Sequence, residues 1–146
     1  MAYTIQAVIT LAGDSMGPLP EPLRWLPLPA SLLMLPLGTD ALEVLGLPRR
    51  PFTFEEETET PPSLGKFCER LSQGRSIVYI EAEIFGGWGT QASILFKDGV
   101  QVGDPVIAED AINQALRSLG VASGNAVDEF EAAGLGRHRN TDGWLE

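Results

Sequence analysis

From Ser76 to Lys97 the chain holds two runs rich in β-branched and aromatic residues, joined by Gly86-Gly-Trp-Gly89 and followed at once by Asp98-Gly99. Glycines let the backbone take positive dihedrals in a turn or bulge. Asp-Gly suits the tight turn whose twist matches a hairpin. The stretch therefore predicts an antiparallel ribbon, with strands over Ser76–Phe85 and Thr90–Lys97 and a short return strand over Val100–Val102. Strand side chains alternate between faces, so Tyr79, Glu81, Glu83 and Phe85 share one face, while Val78, Ile80, Ala82 and Ile84 share the other. The second set is wholly apolar and reads as the core. The first is amphipathic and reads as half wet.

The remaining segments extend this ribbon. Tyr3 to Leu11 alternates and predicts a strand with Tyr3, Ile5, Ala7, Ile9 and Leu11 inward. Gly13-Asp14 and Met16 to Pro20 break it. A helical turn is expected over Glu21–Trp25 and a buried strand over Ser31–Leu35, which Pro36 ends or places at an edge. Thr39 or Asp40 caps a brief helix through Leu45, with Gly46 as its stop. Pro62 to Ser72 reads as a helix with Ser63 as a cap. Ile107 to Leu119 reads as the clearest helix, because Ile107, Ala111, Ile112, Ala115, Leu116 and Leu119 form one stripe. A last short helix over Asp128–Ala133 points Phe130 inward. Mixed helices and hairpin-joined strands predict a single α+β domain over 1–146, with a mainly antiparallel sheet and helices packed on one face.

Pro48 to Pro62 stands apart. Glu55-Glu-Glu-Thr-Glu59 places four acids in five residues between proline-bearing ends. Mutual repulsion predicts a solvated loop or mobile linker, and a sharper reading makes it an acidic hook for a basic partner. The first part of the chain is too small to bury a core of its own, so the loop is not read as a domain boundary.

The whole chain, 146 residues long, carries 20 acidic and 10 basic residues, a net charge of −10. Phosphate binding needs a cationic surface, so nucleic acid is not an expected partner. Nor is an anionic membrane. A basic protein partner is compatible with the charge. Cys68 is the single cysteine, so an internal disulfide and a thiolate metal cluster are both ruled out. It shares a helical face with Leu64, Phe67 and Leu71 and reads as core filler. No basic stretch followed by an apolar run opens the sequence, so no secretory signal is expected. The apolar stretch Leu26 to Leu37 is short and broken by three prolines. The expected compartment is the cytoplasm.

Candidate site residues cluster in two places. Glu81 and Glu83 lie about 6.6 Å apart along a strand. That spacing overlaps the carboxylate separation of inverting glycosidases, yet it is what any strand gives two acids. The glycine turn lacks the Gly-Lys-Ser/Thr ending of a phosphate loop. Trp88 at its tip is either an anchor for a protein partner or a ring folded back on the domain. Arg137, His138 and Arg139 form a basic cluster in the tail. His138 is the single histidine, so a metal site built on it would need oxygen ligands for nearly all other positions. The expected role of the arginines is bidentate pairing with carboxylates, Glu81 and Glu83 first among them. The tail would then be tied across the sheet.

Tyr79 through Gln91 follows an aromatic-x-Glu-x-Glu-x-aromatic-Gly-Gly-x-Gly-x-Gln pattern, and Gly134 to Arg139 follows Gly-Leu-Gly-x-x-Arg. In these motifs the chain resembles a loosely defined group of short bacterial proteins, over roughly Ile77 to Trp144. Some such small acidic proteins look like immunity proteins, which bind and block a toxin. That likeness is one of size, charge and setting and matches no functional residue. The leading expectation is a non-enzymatic binding module with no cofactor and no metal. Its surface combines Trp88, the acidic face and the Glu55–Glu59 loop against a basic toxin domain, with Glu81, Glu83, Trp88, Gln91, Arg137, His138 and Arg139 as the binding residues. Two alternatives stand beside it. One is a small hydrolase using Glu81 and Glu83 with His138. The other is a structural homodimer formed through Trp88 and the hairpin edge.

Overall fold

A computed structural model describes residues 2–13, 19–86 and 88–145. Six antiparallel strands form one sheet: β1 (Ala2–Leu11), β2 (Leu26–Leu28), β3 (Leu32–Pro36), β4 (Ser76–Phe85), β5 (Trp88–Lys97) and β6 (Val100–Ala108), in spatial order β2-β3-β1-β4-β5-β6. The helices are α1 (Thr39–Leu45), α2 (Pro62–Leu71), α3 (Ala111–Ser118) and α4 (Glu129–Ala132). Short 3-10 turns at Leu135–Arg137 and Asp142–Leu145 end the described chain. The α+β class with an antiparallel sheet is as the sequence reads.

Helices cover both faces of the sheet, where the sequence reading placed them on one. On one face, Ile5, Ala7 and Ile9 of β1 and Val78, Ile80 and Ala82 of β4 pack beneath Ile112, Ala115 and Leu116 of α3, with Leu135 and Trp144 of the tail. On the other face, Val8, Ile77, Tyr79, Ile94 and Phe96 pack against Leu64, Phe67 and Cys68 of α2, Ala41 of α1, and Phe52. The reason is visible in Ile77-Val-Tyr-Ile80. A continuous apolar run in a strand needs cover on both sides.

The 97–100 turn has φ of 53° at Asp98 and 81° at Gly99, the doubly left-handed conformation that tight hairpins require. Beyond it β6 runs on to Ala108, well past the short strand read from Val100–Val102. Its register shifts between Ser93 and Leu95, and Gly103 has φ of 76° there. Ile107 pairs with Ala92 in the sheet, so α3 begins only at Ala111. The helical stripe and the strand both accommodate Ile107, and sheet pairing decides it. Both edge strands contain a proline, Pro27 in β2 and Pro105 in β6, which blunts edge-to-edge pairing. Among the described residues, no helix is long and apolar enough to cross a membrane.

Candidate functional site

The Glu81 face of β4 is dry at Tyr79 and Glu81 and wet toward its end, where Glu83 is partly exposed and Phe85 is 55% exposed. Gln6 of β1 lies opposite Glu81, and Thr4 opposite Glu83. Over them folds the segment from Pro48 to Thr53. Glu81 is 0% exposed. Its Oε1 accepts the backbone N–H groups of Phe52 at 2.6 Å and Thr53 at 3.2 Å, and its Oε2 accepts the Tyr79 hydroxyl at 3.1 Å. The Tyr79 oxygen in turn accepts Gln6 Nε2 at 2.9 Å. The same Gln6 nitrogen donates to the Pro48 carbonyl, while Gln6 Oε1 accepts the Arg50 N–H at 3.0 Å. One side-chain network thus stitches the 48–53 segment to two central strands. Such a buried network is stable only when its members are satisfied.

Burial dominates the titration of this group. Loss of water raises the Glu81 carboxyl from 4.5 to about 7, against the lowering effect of the Phe52, Tyr79 and Thr53 hydrogen bonds and of the Arg50 charge. Tyr79 is held well above its ordinary range, first by burial and then by the neighbouring carboxylate. Cys68 is also pushed up, by burial and by Glu69, so its thiol is a core group without thiolate character.

Glu83 pairs with Arg50, Nη1 to Oε2 at 2.7 Å, with side-chain exposures of 7% for the arginine and 26% for the glutamate. This corrects the expected pairing of Glu81 and Glu83 with Arg137 and Arg139. A cation in the middle of the chain and two backbone N–H groups serve these acids instead. Nothing in sequence spacing connects Arg50 to Glu83. A weak hint lay in Arg49-Arg50 immediately before an acidic run.

The tail does return to the sheet, along β1. Strand β3 pairs with β1 only from Ala7 onward, which leaves the first half of β1 with a free edge. There the Thr4 N–H donates to the Arg139 carbonyl at 2.8 Å, and the Gln6 N–H donates to Thr141 Oγ1 at 3.0 Å. Asp142 then accepts both the N–H and the hydroxyl of Thr39, each at 3.2 Å. Capping of α1 therefore comes from the tail, not from Thr39 or Asp40 as the local sequence reads. Gly38 allows this approach, since a Cβ there would lie 2.5 Å from Asp142 Oδ1. His138 stacks edge-on against Trp144 with ring centroids 4.7 Å apart. Arg137 is exposed at the end of its 3-10 turn.

Gln91, read as a contact residue, has an internal role. Its Oε1 accepts the Ile112 N–H at 3.0 Å and so fills a free donor in the first turn of α3. Trp88 enters β5 through its backbone, opposite Phe85. The side chain of Trp88 lies outside the described residues. The two bounding glycines differ in purpose. Gly86 has φ of 56°. Gly89 is needed for closeness, because a Cβ there would meet the Glu83 carbonyl oxygen and lie 2.6 Å from Ile84 Cα.

Between these parts lies a cleft of 570 Å³. Its floor is the sheet at Thr4, Gln6, Glu83 and Phe85. One side is the start of α1 with Asp142 bound to it, and another is Arg49 and Arg50. Glu81 and His138 do not line it. The acid pair is therefore split into an enclosed member and a cleft-facing member already neutralised by arginine. Among the described residues, no group of His, Cys, Asp and Glu is placed to hold a metal ion.

Beside the cleft, the acidic segment is built of turns. The Arg50 carbonyl accepts the Phe54 N–H at 2.8 Å, and the Pro51 carbonyl accepts the Glu57 N–H at 2.9 Å. Phe54 is 55% exposed, with the Arg49 and Arg50 guanidinium carbons 5.7 and 5.5 Å from its ring centre. Glu55, Glu56, Glu57 and Glu59 are all exposed. The chain matches no protein-family model, no curated protein and no solved structure.

Proposed function

We propose that this chain is a non-enzymatic protein-binding module whose contact surface is the acidic segment from Phe54 to Glu59. The observation that carries the reading is the held aromatic. An apolar ring stands out of the surface, braced by two arginines and followed by four exposed glutamates, on a segment pinned to the sheet through Glu81. An ordered aromatic anchor gives affinity at small entropic cost. A local acidic field speeds encounter with a basic partner. The partner class is a basic protein surface, and the specific form is an immunity-type inhibitor that occludes a toxin's basic active site. A nucleic acid or an anionic membrane does not complement this charge. Catalysis by Glu81 and Glu83 is the weaker reading, because only one of the two faces the cleft.

A photo-crosslinking residue in place of Phe54 tests the proposal in a lysate of the source cell. The expected result is one dominant basic protein, whose association slows with salt and is lost when Glu55, Glu56, Glu57 and Glu59 are all changed to Gln. A partner that is acidic, or whose binding ignores the four-glutamine variant, would overturn it. So would turnover in a panel of hydrolase substrates that Glu83→Gln abolishes.

A further inference from the structure

The cleft has an electrical polarity that the protein-binding reading does not use. Arg50 is buried and held by one ion pair to Glu83 and by its own backbone bond to Gln6. One of its guanidinium nitrogens is spent on Glu83, most of its donors meet no other side chain among the described residues, and Arg50 lines the cleft. A buried guanidinium with spare donors favours an oxyanion acceptor. Arg49 lines the same wall and, among the described residues, has no carboxylate within ion-pair distance. The α1 side of the cleft has the opposite sign. Glu43 is exposed there without an ion-pair partner among the described residues, and Asp142 sits at the start of the same helix. Leu42 and the half-exposed Phe85 supply apolar surface between the two ends.

We propose that this cleft binds a small zwitterion of the α-amino-acid class, its carboxylate on Arg49 and Arg50 and its ammonium toward Glu43 and Asp142. Both charges of such a ligand meet their opposites within one concavity, and its side chain lies on Leu42 and Phe85. A simple anion would leave the acidic wall unanswered, and a simple cation the arginines. The volume lies within the range of ordinary ligand pockets, roughly 300–1,000 Å³. The cleft shares Arg49 and Arg50 with the braced Phe54 ring, but its acidic wall at Glu43 and Asp142 and its apolar surface at Leu42 and Phe85 take no part in that surface.

Backbone amide NMR of the full chain tests it, with free leucine, glutamate and arginine as probes beside leucinamide, N-acetylleucine and inorganic phosphate. At least one free amino acid is expected to give saturable shifts at Gly38, Thr39, Arg49 and Arg50. Removing either ligand charge should weaken binding by about tenfold or more. Arg49→Ala and Glu43→Ala alter exposed side chains and should each weaken it about tenfold; Glu43→Ala should keep the spectrum otherwise, while Arg49→Ala should also shift the Phe54 turn that Arg49 braces. Absence of saturable shifts with all three amino acids would overturn the proposal. Equal binding of leucinamide or of phosphate would overturn it too, marking a site for one charge only.

Discussion

Glu81 Oε1 accepts the Phe52 backbone N–H at 2.6 Å, so a carboxylate on the central strand β4 fixes the segment that carries the exposed Phe54. Its neighbours contribute through the same network. Tyr79 and Gln6 hold the carboxylate and the arginine backbone in register. The surface proposed for binding is thus positioned by a group it never exposes.

That group gives the protein a pH signature. The folded pKa of Glu81, about 7, lies above its ordinary 4.5. The folded state therefore holds the proton more tightly than the unfolded state does. The resulting stabilisation is complete below the unfolded value and is lost as pH rises through about 7. Glu81→Gln keeps an acceptor for Phe52 and Thr53 and a donor for Tyr79. Urea unfolding from pH 4.5 to 8 should show the variant gaining on the parent by up to about 3 kcal/mol with rising pH. Parallel pH curves for the two proteins would refute this.

Removing the side chain at the same position has the opposite outcome. Glu81→Ala leaves two buried backbone N–H groups without their acceptor and should cost about 2–4 kcal/mol. Amide exchange at Phe52 and Thr53 should rise more than in α3, which is far from the network.

The Arg50–Glu83 pair predicts a coupled response. Arg50→Met strands a largely buried carboxylate and should destabilise by about 2–3 kcal/mol. Adding Glu83→Gln should recover a good part of the loss. A double-mutant cycle with no coupling would show that the 2.7 Å contact contributes nothing to stability.

Gly89→Ala should be far more damaging than Gly86→Ala, although Gly86 has the positive φ. The added methyl at Gly89 collides with the backbone of Ile84 and Glu83, while at Gly86 it meets open space. We expect about 3 kcal/mol or more at Gly89 and about 1 kcal/mol at Gly86, measured by thermal unfolding.

Trp144 anchors the tail in the core, its turn packed against β3. Its indole Nε1 is buried and, among the described residues, has no acceptor. Trp144→Ala should cost about 3–5 kcal/mol and free the β1 edge near Thr4. Trp144→Phe should cost less than about 1.5 kcal/mol, because it deletes an unsatisfied donor along with some packing.

Local chemistry made several elements legible. The β4–β5 ribbon, the Asp98-Gly99 turn, α2, and α1 with its Gly46 stop all follow from alternation, glycine placement and proline position. These are short-range effects, so residues a few positions apart suffice to state them. The burial of Cys68 follows in the same way from its helical face.

The site was decided at long range. Glu81 and Glu83 were visible as unusual strand acids, but their partners lie 29 and 33 residues away in sequence, at Phe52 and Arg50. The acidic run could be read, yet not the turns that order it, since those depend on the carboxylate beneath. Tail docking rests on a strand edge that exists only because β3 is shorter than β1. Sequence alone determined most of the strands and helices, because backbone preference and side-chain period act locally; where a stretch suits both, as at Ile107, sheet pairing decided. Tertiary structure alone decided which charges meet and which face is dry, because burial depends on what the rest of the chain lays over each strand.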